Sequence, residues 1–316
     1  MTGMKSSNKT LHPVPATLAG IVFVSTASLF IRFAQAEASS IVIAAARLTI
    51  ASLVLVPMAL IRNCKAPVHL TWQEWGKGLL SGLFLALHFA AWITSLEYTT
   101  IASSVVLVTT TPLWVALLSP LVLQEKIRKA VWIGLVISVV GGVIVGLANA
   151  CQWTGSGLTC QAQGFTGKAM WGNALALFGA WMAAGYMLMG RQLRKKLDTV
   201  SYTALVYSAA AGILLAVVLL SAEPLFSYQP ETYIWLLALG LIPQLLGHSL
   251  LNWALKYISA AYVSLTLLGE PIGTSILAYL FLRESPTLLE GVGAVLILVG
   301  IVIGSIRRAA APVNAA

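Results

Sequence analysis

The chain has 316 residues, of which 59% are hydrophobic and 9% are charged, and its formal net charge is +9. Soluble domains carry about 25% charged residues, so this composition excludes a water-soluble enzyme. The basic residues are spread over short segments between apolar stretches rather than gathered in one patch, so we expect no nucleic-acid partner. The composition is typical of a helical protein that spans a lipid bilayer many times.

Ten apolar stretches follow one another along the chain, each close to the roughly 20 residues that a membrane-spanning helix needs. They predict an all-α fold, a polytopic membrane protein with ten transmembrane helices. The predicted spans are 14–34, 39–62, 75–96, 100–123, 129–148, 170–190, 200–222, 231–254, 260–282 and 286–306.

The distribution of basic residues predicts the orientation of these helices. With the N-terminus inside, 15 of the 19 Lys and Arg residues lie on the cytoplasmic side, and only Lys168 and Arg283 lie in loops on the other side. Because cytoplasmic loops carry an excess of Lys and Arg, we expect a multi-pass protein of the inner (plasma) membrane with both termini cytoplasmic. A signal peptide cleaved near Ala36 is the alternative for the first stretch, although Arg32 interrupts its apolar end.

The two halves of the chain repeat each other. A shift of 159 residues aligns 96–142 with 255–301 without a gap, and twelve of these 47 positions are identical. Each half then holds five helices, and because five is odd, the second half enters the membrane upside down. Inverted repeats are typical of secondary transporters, whose substrate site lies near the midplane where the repeats meet. The expected divisions are a first five-helix repeat over 1–148, an outer loop over 149–169, a second five-helix repeat over 170–308 and a cytoplasmic tail over 309–316.

Short motifs at equivalent places in the halves carry a family resemblance. The first half has PLWVALL from Pro112 and QEK from Gln124, and the second has EP at Glu270 and RE at Arg283. With AARL from Ala45 in the second helix, these motifs resemble the EamA-type members of the drug/metabolite transporter superfamily. The resemblance covers about residues 14–306 and implies a ten-helix basket that often exports amino acids or other small metabolites. Small four-helix relatives that exchange cationic drugs for protons carry a glutamate in helix 1, whereas helices 1 and 6 here contain no acid.

Polar and aromatic side chains fall at one depth of several predicted helices. At 1.5 Å per residue, His88, Trp181, Gln244 and Glu270 lie near the midplane, with Arg47 slightly outward. Because ionisable groups are costly inside a bilayer, these side chains should face a cavity or each other. The expected substrate-binding residues are Arg47, His88, Trp92, Trp181, Tyr186, Gln244 and Glu270.

Each of these residues also has a structural interpretation, and the sequence leaves both open. Glu270 either serves the substrate or protons, or only pairs with Arg47 and so locks helices 2 and 9 together. His88 is either a cavity group that titrates or a hydrogen bond between helices. Trp92 and Trp181 are either cavity walls or ordinary packing residues. Glycine-rich faces on helices 5 and 10 indicate close packing, and they leave open whether the protein is a monomer or a homodimer.

Cys151 and Cys160 lie in the predicted outer loop, where oxidation is allowed. Their spacing is compatible with a disulfide, which we predict, and two free thiols are the alternative.

Several classes of chemistry lack their motifs in the sequence. There is no Gly-x-x-x-x-Gly-Lys-Ser/Thr loop, so ATP is not expected to drive the protein. There is no His/Cys cluster with zinc spacing and no catalytic constellation, so we expect no metal, no cofactor and no catalytic residues. We therefore expect a secondary transporter that exports amino acids or similar small molecules by alternating access. Efflux of hydrophobic or cationic drugs is the alternative within transport, and an intramembrane enzyme is the alternative outside it.

Overall fold

Most of the residues that the structure describes are helical. The computed structural model describes residues 13–65, 69–123, 129–148, 151–154, 157–160, 167–257, 263, 267 and 269–305. The first half contains α1 (Pro13–Ser25), α2 (Ala27–Ala34), α3 (Ser40–Lys65), α4 (Trp72–Tyr98), α5 (Ile101–Val108), α6 (Thr111–Leu123) and α7 (Lys129–Ala148). A hairpin of β1 (Cys151–Thr154) and β2 (Gly157–Cys160) follows. The second half contains α8 (Lys168–Leu193), α9 (Thr199–Leu220), α10 (Pro230–Leu239), α11 (Gly240–His248), α12 (Ser249–Ala254), α13 (Gly269–Leu282) and α14 (Leu288–Ser305).

Seven helical segments of the described chain are long and apolar enough to cross a membrane. They are Pro15–Ala34, Ser40–Cys64, Trp72–Tyr98, Ile101–Val122, Lys168–Leu193, Thr199–Leu220 and Pro230–Ala254. Two shorter apolar helices, Trp132–Val145 and Leu288–Gly300, lie within α7 and α14. The all-α membrane fold is therefore confirmed, whereas the count of ten spans stays a prediction. Most of the first part of the predicted span 260–282 lies outside the described residues.

Three predicted spans are interrupted near their middle: the first at Thr26, between α1 and α2, and two others beside a proline. α5 and α6 are separated at Thr109 and Thr110, just before Pro112. Pro112 has no N–H to donate to the carbonyl of Val108, and the hydroxyl of Thr111 donates to that carbonyl instead, at 2.8 Å. The segment α11, which contains Pro243, is wound as a π-helix, a form that is frequent at functional sites.

The contact between α7 and α14 shows how the two halves are related. A Cβ atom on Gly300 would lie 2.5 Å from the carbonyl oxygen of Gly134, and one on Gly141 would lie 2.7 Å from that of Gly293. The 159-residue shift makes Gly134 equivalent to Gly293 and Gly141 equivalent to Gly300. The two contacts are thus exchanged by a pseudo-two-fold axis, as in a symmetric dimer interface. This is the relation that inverted repeats require.

The remaining packing places the halves side by side. α4 packs along α8 and α3 packs along α9, so each of these pairs joins the two halves. The β1–β2 hairpin, in which a disulfide joins Cys151 to Cys160, lies next to α7 and α14 at one end of the bundle. We call this the hairpin end. The opposite end carries charged contacts such as that between Lys196 and Glu74, at 2.7 Å.

Candidate functional site

A cavity lies between the two halves of the bundle. Its walls come from α4 and the α5–α6 interruption in the first half, and from α8, α11, α12 and the start of α13 in the second. The cavity has a volume of about 70 Å³, which is room for several waters. Most of the wall is apolar. The polar and aromatic side chains in it are His88, Trp92, Thr109, Thr111, Tyr186, His248, Asn252 and Glu270.

Glu270 is the acidic residue of this wall. It lies in the first turn of α13 and is 9% exposed. Two contacts hold its backbone against α1: the Ser25 hydroxyl donates to the Glu270 carbonyl at 3.5 Å, and the Thr274 hydroxyl donates to the Ser25 carbonyl at 3.1 Å. Its carboxylate makes no hydrogen bond and no ion pair with any residue that the structure describes. The backbone of Glu270 is therefore held against α1, and its side chain lines the cavity.

His88 and Trp92 form an aromatic wall one helical turn apart on α4. Their rings stack with centroids 5.9 Å apart. The Nδ1 atom of His88 lies 2.9 Å from the carbonyl oxygen of Gly179 on α8. Because a carbonyl only accepts, a neutral His88 carries its hydrogen on Nδ1, and Nε2 is left as an acceptor. His88 therefore holds two helices together and also lines the cavity, whereas its titration stays a prediction.

Arg47 and Gln244 lie behind the wall rather than on it. Arg47 is completely buried, and its Nε donates to the Gln244 amide oxygen at 3.0 Å. Its guanidinium carbon lies 4.0 Å from the centroid of the Phe89 ring, which separates it from the cavity. Among the described residues, Arg47 forms no ion pair with Glu270, so that pairing, the structural interpretation of Glu270, is absent from this conformation.

Tyr186 anchors a polar network below the cavity. Its hydroxyl donates to the Asn252 amide oxygen at 2.8 Å, and the Asn252 amide donates to the Tyr207 hydroxyl at 3.2 Å. The buried Arg194 donates from Nε to the carbonyl of Asn252 at 3.1 Å. This network joins α8, α9 and α12 at the end of the cavity opposite the hairpin.

Trp181 does not reach the cavity. It is 46% exposed, and its ring packs edge-on against Trp114 with centroids 4.9 Å apart. Both residues line a separate lateral depression with α7. At 100° per residue, Trp181 is rotated about 140° around α8 from Tyr186, so the two side chains cannot face the same space. Trp181 therefore lies on a face of α8 that points away from the cavity.

Three residues that carry the site were not among those predicted from the sequence. His248 and Asn252 line the cavity one turn apart, and with Gln244 they recur every four residues. That spacing was available in the sequence as a polar stripe on an apolar helix. Phe89 carries no such signal, because a phenylalanine between His88 and Ala90 in an apolar helix is unremarkable until its neighbours are known.

The comparisons with known proteins agree with this architecture. The EamA-like transporter family matches the chain twice, over residues 13–147 and 170–306. An uncharacterized transporter of Archaeoglobus fulgidus is 23% identical over 77% of this chain and 84% of its own length. The uncharacterized transporter YdfC of Bacillus subtilis is 24% identical over 69% of this chain and 67% of its own length.

A solved crystal structure is similar in fold. It has a TM-score of 0.62 with 20% identity, and the match covers 94% of this chain and 99% of that one. The family resemblance predicted from the motifs is confirmed by the two family matches, which together span most of the chain. The apolar helices, the contact between equivalent glycines of α7 and α14 and the two family matches agree with one another, and the chain belongs to the EamA-like transporter family.

Proposed function

We propose that this chain is a secondary transporter that exports amino acids or similar small metabolites by alternating access. The observation that carries the proposal is the Glu270 carboxylate, which lines the cavity between the repeats without a partner among the described residues. An acid inside a bilayer is strongly stabilised by any group that neutralises it. Glu270 is therefore suited to bind the ammonium group of a substrate, or a proton, and to release it when the cavity opens.

The membrane arrangement is part of the same proposal. Ten spans in two inverted five-helix repeats, 1–148 and 170–308, would have both termini in the cytoplasm and lie in the inner (plasma) membrane. A cavity at the interface of such repeats supports alternating access, since rocking one repeat against the other opens it to each side in turn. A reporter fused after Ala316 tests the orientation. Activity of the reporter only outside the cell would contradict it.

The lining of the cavity supports a small amphipathic substrate. Leu85, Leu251 and Leu267 offer apolar surface for an aliphatic or aromatic side chain. Glu270 offers a negative charge for an ammonium group, and Nε2 of His88 offers an acceptor. Amino acids combine these features in one small molecule.

Efflux of hydrophobic cations is the second candidate. The observation in its favour is that the acid shares the cavity with the stacked His88 and Trp92 and with Tyr186, because aromatic faces attract cations. The discriminating feature is the second charge of an amino acid, which a hydrophobic cation lacks.

Exchange in proteoliposomes tests the proposal. The purified full-length chain is reconstituted in liposomes loaded with an unlabelled amino acid, and uptake of the labelled amino acid is measured for each standard amino acid in turn. Tetraphenylphosphonium is tested in parallel as a hydrophobic cation, and protein-free liposomes give the background. We expect exchange of at least one amino acid above this background. Exchange of the cation alone would favour the second candidate, and exchange of no amino acid would contradict the proposal.

A further inference from the structure

Arg47 is the buried cation next to the cavity whose hydrogen-bonding capacity is mostly unused. A guanidinium has five N–H groups. The Nε–H of Arg47 is bonded to Gln244, whereas Nη1 and Nη2 are buried and have no hydrogen-bond partner among the described residues. The amide nitrogen of Gln244 is also buried without a partner. The two terminal nitrogens of Arg47 and the amide nitrogen of Gln244 are therefore donors without an acceptor among the described residues.

Packing alone does not account for this arrangement. The Phe89 ring lies 4.0 Å from the guanidinium carbon and stabilises the charge through its π face, but it accepts no conventional hydrogen bond. Leaving a charged group buried without its hydrogen bonds is strongly unfavourable, and natural proteins pair such groups. An anion-binding site without its anion has this arrangement, in which unpartnered donors surround one positive charge.

The geometry of these donors favours a carboxylate as the anion. The planar fork of Nη1 and Nη2 matches the two oxygens of a carboxylate, which an arginine binds through two parallel hydrogen bonds. The Phe89 ring that contacts Arg47 lies 5.5 Å from His248, which lines the same cavity as Glu270, so the two charges lie in the same part of the molecule. One small substrate with an ammonium group and a carboxylate would neutralise both.

We propose that the Arg47 guanidinium and the Gln244 amide form the subsite for the carboxylate group of the transported substrate. The proposal deepens the proposed function and rests on it. Phe89 contacts Arg47 on one side, and its ring lies 4.7 Å from His88 and 5.5 Å from His248, which both line the cavity. Displacement of the Phe89 ring would therefore join the subsite to the cavity. The π-helical turn that carries Gln244 and His248 lies directly against α3, where Gly240 approaches the Arg47 carbonyl.

The wild-type protein alone provides the first test. In the same proteoliposomes, exchange of each transported amino acid is compared with exchange of its carboxamide, which keeps the ammonium group and the side chain but has no negative charge. Loss of a charge-assisted hydrogen-bonded pair predicts that the acid is exchanged about tenfold faster than the amide, or more. Equal exchange of acid and amide would overturn the subsite while leaving transport intact. No exchange of any amino acid would instead overturn the proposed function itself.

Variants then assign the discrimination to Arg47. In Arg47→Gln we expect the acid-to-amide ratio to fall to about one, and in Arg47→Lys, which keeps the charge but not the fork, to fall partway. Arg62→Gln is the matched control, because Arg62 lies on the same helix α3 but is exposed and paired with Asp198 at 3.0 Å. Its ratio should equal that of the wild type. An unchanged ratio in a folded Arg47→Gln would overturn the proposal.

Glu270, in another conformation, is the alternative partner of Arg47. A third variant distinguishes this pairing from the carboxylate subsite. Glu270→Gln should slow exchange of acid and amide by the same factor and leave their ratio intact. If instead Glu270→Gln abolishes the ratio as Arg47→Gln does, the partner of Arg47 is Glu270 and the carboxylate subsite is wrong. If Arg47→Gln does not elute as a folded protein on size exclusion, the acid-to-amide ratios of the wild type and of Glu270→Gln still test the carboxylate subsite.

Discussion

The hairpin end and the central cavity both contain acidic side chains, but only the hairpin end gives them partners. We define the hairpin-end cluster as Arg32, Thr100, Ser103, Glu284 and Glu290. Glu290 accepts from the hydroxyls of Thr100 and Ser103 and, at 2.7 Å, from the backbone N–H of Thr287. Glu284 accepts from the backbone N–H of Ile101, and Arg32 lies 3.8 Å from it. In the cavity, the carboxylate of Glu270 has no such partner in the described chain.

The glutamates at the hairpin end have a structural role, whereas the glutamate in the cavity is available for function. Glu284 lies in the connection between α13 and α14, and Glu290 lies in the first turn of α14. Both accept hydrogen bonds from residues at the start of α5, so they hold the two halves together at the hairpin end. A partnered buried acid adds to stability, and its removal strands several donors. An unpartnered one, as in the cavity, contributes little to the fold of this conformation and is available to a substrate. Three predictions use this contrast, from the largest expected effect to the smallest.

Glu290→Ala should destabilise the protein most. It removes the acceptor of two hydroxyls and one backbone N–H, and it also removes the capping box that Glu290 forms with Thr287. We expect the free energy of unfolding in detergent to fall by about 3 kcal/mol. Glu231→Ala is the control, because Glu231 is an exposed acid in the first turn of α10. A decrease no larger than that of the control would show that the cluster does not hold the halves together.

Tyr186→Phe should have an intermediate effect. It removes the hydroxyl that bonds Asn252 and leaves the ring in place, so we expect a loss of about 1 kcal/mol in the free energy of unfolding. Tyr279→Phe provides the comparison, since Tyr279 lies exposed on α13. Equal stability of the two variants would argue that the Tyr186–Asn252 bond contributes nothing.

Trp181→Leu should change transport least. Because Trp181 lines the lateral depression rather than the cavity, we expect its exchange rate to stay within about twofold of the wild type, as for surface substitutions. Trp92→Leu, which alters the cavity wall, should slow exchange clearly more. The placement of Trp181 outside the site is wrong if both variants slow exchange equally.

Much of the fold can be predicted from patterns along the sequence. The length of the apolar stretches predicts helices, and the 159-residue repeat identifies as equivalent the glycines at which α7 and α14 contact each other. Counting residues along a helix gives depth, so His88 and Glu270 were placed at the same level and do line one cavity. These quantities depend only on position along the chain.

The parts that could not be predicted depend on rotation and on local backbone form. The depth of a residue along a helix does not determine which face of the helix points into the cavity. The sequence therefore predicts Trp181 in the cavity, although its side chain points away from the cavity. The π-helical turn around Pro243 changes the rotation of Gln244, which lies behind the wall. Nor does the sequence reveal that Phe89 covers Arg47, because a contact between α3 and α4 is a property of their packing.

The most direct measurement of the contrast between the two regions is made on Glu270→Gln, with transport and stability recorded on the same preparation. If the carboxylate serves the substrate rather than the fold, the free energy of unfolding should change by no more than about 1 kcal/mol, which is what one hydrogen bond contributes, because the carboxylate bonds none of the described residues. Amino-acid exchange in proteoliposomes should fall at least about tenfold, the loss expected for one charge-assisted contact. Exchange at the wild-type rate by the folded variant would contradict this account of the cavity.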